Sequence, residues 1–91
     1  MTILDEAAKL VDGERGKNYG KPEDDFARVC DAAESLGIDP VKNGVLHHAL
    51  YMILVKLSRL SQTYNHRDSL VDICGYARTY EMILDEFEGE K

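Results

Sequence analysis

Val45-Leu46-His47-His48-Ala49-Leu50-Tyr51-Met52-Ile53-Leu54-Val55-Lys56-Leu57 decides the fold class. Its apolar residues cover more than one face of an α-helix, so this helix is central or faces another subunit. Its most apolar part, Ala49–Leu57, contains Lys56 and falls short of the ~18–20 residues of a membrane span. The pattern begins upstream at Asp39-Pro40, a cap followed by a first-turn proline. Gly44 interrupts it early, and it runs to about Leu60.

Outward from this segment the signals are all helical. Thr2–Val11 carries an apolar stripe, with Thr2 and Asp5 spaced as a capping-box variant, and Gly13 is expected to end it as a left-handed residue. Pro22 opens the next helix at a position where its missing N–H has no partner anyway. Glu23, Asp24 and Asp25 complement the positive helix end. Phe26, Val29, Cys30, Ala33 and Leu36 follow at three- and four-residue steps, and Gly37 ends the element. After a short polar loop, Arg67 to about Phe87 forms the last helix, with Gly75 near its middle. The acidic tail 85–91 opposes the helix dipole and is expected to fray. No strand-like alternation of useful length occurs. The expectation is one all-α domain over 1–91, a small antiparallel bundle of about four helices whose last two form a long hairpin.

The formal net charge is −6, which argues against general nucleic-acid binding, since that needs a basic face. No leader segment is read at Met1-Thr2-Ile3. Cys30 and Cys74 belong to no CxxC motif and sit among apolar residues, so they read as buried, reduced thiols in a cytoplasmic protein. A chain this small has a modest core, so a homo-oligomer is expected.

The candidate chemistry lies where two helices meet. With His48 as zero, Met52 lies at roughly 40°, Lys56 at roughly 80° and Arg59 at roughly 20°. With Asp68 as zero, Asp72 lies at roughly 40°, Gly75 at roughly 340° and Tyr76 at roughly 80°. In an antiparallel pair Arg59 falls opposite the Asp68/Asp72 end, with Lys56 one turn deeper. Interhelical ion pairing that fixes register is the plain reading. The sharper one starts from Gly75, which costs roughly 1 kcal/mol relative to Ala within a helix, and from Tyr76, a stacking surface beside it. His66 and Arg67 stand at a helix start that favours anions. Lys56, Arg59, His66 and Arg67 can neutralise phosphates, and Asp68 and Asp72 can hold Mg²⁺. That inventory suits a phosphorylated nucleotide. His47-His48 point about 100° apart and do not clamp one metal. Ser58, Ser61 and Ser69 show no nucleophile-elbow context. The loop Glu14–Lys21 concentrates Arg15, Lys17 and Tyr19 between helices, where binding groups often lie.

Three blocks, Glu14–Phe26, Lys56–Leu60 and His66–Ala77, resemble a group of small helical domains of bacteriophages and prophages. That group is in turn distantly similar to the all-α nucleoside triphosphate pyrophosphatases typified by MazG and dimeric dUTPases. The resemblance implies a MazG-like helical bundle, usually dimeric or tetrameric, that holds Mg²⁺ around a nucleotide's phosphates with two acidic pairs. Asp68 and Asp72 stand where the second pair falls, spaced by four rather than three. The first pair is absent, and Lys56 and Arg59 occupy the corresponding stretch. Two cations in place of two carboxylates weaken metal-dependent hydrolysis and strengthen direct phosphate binding. The resemblance also implies that Arg15, Lys17 and Tyr19 close over the ligand. The leading expectation is a phage protein that sequesters a phosphorylated nucleotide or a cyclic oligonucleotide signal in the host cytoplasm, in an anti-defence role. The alternatives are a Mg²⁺-dependent pyrophosphohydrolase and a helical protein-interaction module.

Overall fold

A computed structural model of the protein describes residues 2–15 and 20–89. Five α-helices lie among them, α1 (Ile3–Leu10), α2 (Pro22–Leu36), α3 (Pro40–Asn43), α4 (Val45–Gln62) and α5 (Arg67–Gly89), with a π-helical turn at Val11–Arg15 after α1. No strand occurs among the described residues.

Local signals set most boundaries. The Thr2 hydroxyl accepts from the Asp5 N–H at 3.1 Å, and the Asp5 carboxylate accepts from the Thr2 N–H at 3.2 Å, which completes a capping box. At the far end of α1, Gly13 is not left-handed as expected. It sits at φ −95°, ψ −111° inside the π turn, so the backbone kinks there. Pro22 occupies the first turn of α2, and Gly37 closes that helix at φ 70°. Asp39 caps α3 by accepting from the Val41 and Lys42 N–H groups at 3.0 and 3.1 Å. Its own N–H donates to His47 Nδ1 at 3.1 Å, so His47 is a structural acceptor, while His48 is exposed. Gly44 (φ 81°, ψ −154°) lies in a region closed to L side chains and splits the long pattern into α3 and α4. At the other end of the chain, α5 continues through Asp85–Gly89, where fraying was expected. Glu90 and Lys91 lie outside the described residues.

α4 is the central element, packed on one side by α5 and on another by α2. Val29, Ala33 and Leu54 form the buried cluster, with Ala32, Ile38, Tyr51 and Val55 against it. Ala49 is buried as well. Successive contacts of α2 and α4 run in opposite chain directions, and Lys56 reaches Asp72 across the α4–α5 seam. Three helices side by side make a layer rather than a closed bundle. The radius of gyration is 15.4 Å, against about 12 Å for a compact domain of this length.

That openness overturns two expectations about burial. Cys30 and Cys74 are both exposed. Phe26 and Leu36, on the apolar stripe of α2, are each 68% exposed, because α4 covers only the narrower strip Asp25–Val29–Ala33.

Candidate functional site

Lys56 and Arg59 leave α4 about 60° apart, and that angle divides the expected constellation. Lys56 turns to α5, where its Nζ lies 3.0 Å from Asp72 Oδ2. The lysine side chain is 12% exposed and the aspartate 45%, so the ammonium is the more deeply held partner. Arg59 instead lines a groove between α2 and α4, together with Asp25, Phe26, Val29, Cys30, Tyr51 and Val55. The reason is rotational. Leu54 and Ser58 point at α2 and Lys56 at α5, so position 59 comes out on the rim nearer α2 than the sequence geometry allowed.

The other expected residues are placed around the start of α5. The Ser69 N–H donates to His66 Nδ1 at 3.3 Å, and the Ser69 hydroxyl lies 2.8 Å from the same nitrogen. The Leu70 N–H donates to the His66 carbonyl at 3.4 Å. The His66 side chain therefore caps the helix by accepting from the Ser69 N–H. Arg67 and Asp68 are exposed in the first turn, and Tyr76 is half-buried. Gly75 is exposed, and a Cβ built there would meet nothing within 4 Å, so no packing inside the chain requires the glycine. Lys17 and Tyr19 lie outside the described residues, as does the side chain of Arg15. Among the described residues, no group of three or more His, Cys, Asp or Glu side chains could hold a metal ion.

Beside the groove is a buried polar cluster. The Ser58 hydroxyl donates to Asp25 Oδ1 at 2.6 Å, and Arg28 Nε donates to Ser58 Oγ at 3.1 Å. The Arg28 guanidinium also lies 3.8 Å from Asp25 Oδ1. Asp25 and Ser58 are each 7% exposed, so the serine joins a buried carboxylate to a half-buried cation. Sequence reasoning treated Asp25 as a helix-end charge and Ser58 as an inert hydroxyl. A signal was present. Asp25 falls on the i, i+4, i+8 stripe of Val29 and Ala33, and Ser58 lies one turn from Leu54, so each is a polar residue on a core-facing stripe.

The groove has a volume of about 290 Å³. Through Cys30 and Tyr51 it continues into a shallower depression of about 580 Å³, lined also by Asp39, Lys42 and Asn43. Known small-molecule sites span about 300–1,000 Å³. Its walls are mainly apolar, with the Tyr51 ring at the junction and Arg59 at one end. Burial pushes the Tyr51 phenol above its ordinary value, and a hydrogen bond and charge at the Cys30 side chain push it the same way. The phenol thus stays a neutral donor over the ordinary range of pH. The arrangement can clasp a flat ring against Tyr51 and Phe26 while Arg59 meets an anionic group.

With this geometry in view, comparison with known proteins gives a family. Residues 2–83 match a domain of unknown function, DUF6378. The chain belongs to the DUF6378 family. Its relatives include the Gene 55 protein of Mycobacterium phage D29, 41% identical over 90 residues that cover 98% of this chain and 58% of the phage protein. The Gene 55 protein of Mycobacterium phage L5 is 34% identical over 91 residues, covering 97% of this chain and 56% of its own length. This DUF6378 chain therefore spans a little over half the length of the phage proteins it matches. No solved structure matches it. The family match includes α2, α4 and α5 as far as residue 83, so both the groove and the Lys56–Asp72 pair lie within the DUF6378 region. Among the described residues no helix is long and apolar enough to cross a membrane.

Proposed function

We propose that this phage-family protein binds a phosphorylated nucleotide, or a nucleotide-derived signal such as a cyclic oligonucleotide, and sequesters it in the groove between α2 and α4. The observation that carries this reading is the groove itself, an apolar cleft with two aromatic rings and with Arg59 at one end. A base stacks on Tyr51 or Phe26, and a phosphate meets Arg59. Asp25 lies close by, but its carboxylate is already engaged by Ser58 and Arg28, which reduces its repulsion of an anion. Lys42, in the continuous depression, offers a second cation at the far end for a longer ligand. In this proposal the protein acts in the host cytoplasm in an anti-defence role, and α4 and α5 correspond to the hairpin made by the last two helices of a MazG-like fold.

Hydrolysis is the alternative, with Mg²⁺ held by Asp68 and Asp72. One oxygen of Asp72 is occupied by the Lys56 ammonium at 3.0 Å, so metal binding there has to displace a deeply held lysine. Sequestration needs no such rearrangement and is the reading we adopt.

The fate of the ligand tests it. Purified protein is mixed with nucleoside di- and triphosphates and cyclic oligonucleotides, with and without Mg²⁺, then filtered. The retained fraction is heat-denatured and both fractions are chromatographed. A nucleotide removed from the filtrate and released intact supports sequestration. Conversion to a monophosphate supports hydrolysis, and no depletion across the panel refutes both.

A further inference from the structure

α1 is a helix that its own sequence does not hold. It has 8 residues, and an isolated helix shorter than about 12–15 residues is marginal in water. With Ile3 as zero, Leu10 lies at roughly 340°, Ala7 at roughly 40°, Val11 at roughly 80°, Leu4 at roughly 100° and Ala8 at roughly 140°, so the apolar side chains share one arc of about 160°. Asp5, Glu6, Lys9 and Asp12 occupy the rest. A face divided in this way is one that packs against something, yet every residue from Ile3 to Asp12 is exposed, Ile3 at 83% and Leu4 at 81%. The groove between α2 and α4 presents a surface of the same character, with Phe26, Val29, Tyr51 and Val55 beside Cys30. It is also within reach. Ile3–Val11 rises about 13 Å, so a helix returning antiparallel along α2 from Pro22 runs beside residues 22 to about 31, the stretch whose Asp25–Cys30 residues wall the groove. The 6 residues 16–21 that join Arg15 to Pro22 can span about 20 Å, more than the roughly 8–10 Å between packed helices. Gly13, where the backbone already kinks, provides the joint.

We propose that α1 folds back as a cover over the groove between α2 and α4 of its own chain, and that a ligand entering the groove displaces it. The structure describes the uncovered arrangement. In the covered one, Leu10 and Val11 meet Phe26 and Val55, Ile3 and Leu4 reach Cys30 and Tyr51, and Asp5 and Lys9 stay in water. The antiparallel return also carries Asp12 and the negative C-terminal end of α1 to the end of the groove that Arg59 lines, a favourable match of charge. The chain's own α1 is favoured over that of a second copy, because a short tether holds it at an effective concentration of about millimolar. Docking of α1 stands apart from the nucleotide reading, whereas its displacement rests on that reading.

Amide hydrogen exchange on the intact chain tests both steps, with the wild type beside a Leu4→Ala, Leu10→Ala variant. Alanine is the better helix former and the poorer apolar contact, so the substitutions strengthen a free helix and weaken a docked one. Without ligand, the Glu6–Leu10 amides of the wild type should be protected, and those of the variant should exchange at least about tenfold faster. The α4 and α5 amides should be unchanged, which shows that the rest of the chain stays folded, and the spectral signals of Phe26, Cys30, Tyr51 and Val55 should move. An unprotected α1 in the wild type overturns the proposal, and so does protection that the variant retains. Protection that falls on dilution overturns it as well, and assigns α1 to a second copy. The nucleotide that the filtration panel retains should lower the protection of α1 as it saturates the groove, and protection unchanged at saturation overturns the displacement. A panel that retains no nucleotide defeats the nucleotide reading, while the ligand-free comparison still decides the docking.

Discussion

Replacing Ser58 with alanine removes one hydroxyl and leaves two charged groups to answer for it. Asp25 loses a 2.6 Å hydrogen bond at a side chain only 10% exposed, and the Arg28 Nε loses its acceptor at 3.1 Å. A hydrogen bond to a charged group contributes about 1.5–3 kcal/mol, and a buried group left unmatched keeps its desolvation penalty. The 3.8 Å contact from the Arg28 guanidinium survives the substitution and offsets part of the loss, so about 2 kcal/mol of destabilisation is expected. In a domain of this size that lowers Tm by about 8–16 °C. Urea unfolding followed by circular dichroism reads the loss directly, at one fixed protein concentration so that self-association does not shift the midpoint. The slope should match the wild type, since little surface changes. Asp25→Ala and the double variant complete a cycle whose interaction energy should be well above zero. A loss below about 0.5 kcal/mol, the range of an ordinary surface substitution, would refute the view that this cluster locks α2 onto α4.

The Lys56–Asp72 pair should respond asymmetrically. Asp72→Ala strands an ammonium that is only 12% exposed and should cost about 1–3 kcal/mol, whereas Lys56→Met leaves a half-exposed carboxylate and should cost under about 1 kcal/mol by the same urea measurement. The capping box has a pH signature, because the Thr2 N–H, and then the Thr2 hydroxyl, hold the Asp5 carboxyl below its ordinary 3.8. Its stabilisation is present above that value and is lost as pH falls through the lowered one, so the protection of the Ile3–Leu10 amides, taken relative to the intrinsic exchange rate at each pH, should fall on acidification, and Asp5→Asn should weaken the response. Tyr51 should be among the last of the five tyrosines to ionise in an absorbance titration. Cys30→Ala should bring its titration only part of the way back, because burial is the larger cause. The sign for stability is opposite to that of Asp5. A folded-state phenol that resists ionisation makes stability fall as pH rises above the ordinary phenol value.

Much of the fold was legible because it is written locally. Pro22, Gly37 and Asp39-Pro40 act on the backbone within one turn of themselves, and each marks a boundary where the sequence placed it, whereas Gly44, read as an interruption within one helix, separates two. Gly13 was not legible, since its freedom permits a kink as readily as a left-handed cap. The site was harder for a geometric reason. A helical wheel tells which residues share a face, but not which neighbouring helix that face meets. Lys56 and Asp72 stood close in the antiparallel register and do form a pair. Arg59 lies only a small rotation away, and that rotation carries it to the α2 side. The Asp25–Ser58 contact joins positions 33 residues apart, a separation no local pattern records. Phe26 read as core because its spacing is helical, yet the layer leaves it on the rim, where it becomes a wall of the groove.

The central claim is the location of the ligand. Nitrogen–proton correlation spectra of labelled protein, titrated with the nucleotide that the filtration panel retains, should show saturable shifts concentrated at Asp25–Cys30, Tyr51, Val55 and Arg59, and Arg59→Ala should weaken them by at least about tenfold. Shifts centred instead on Lys56, Asp68, Asp72 and Tyr76, and indifferent to Arg59→Ala, would contradict the account and place the ligand between α4 and α5.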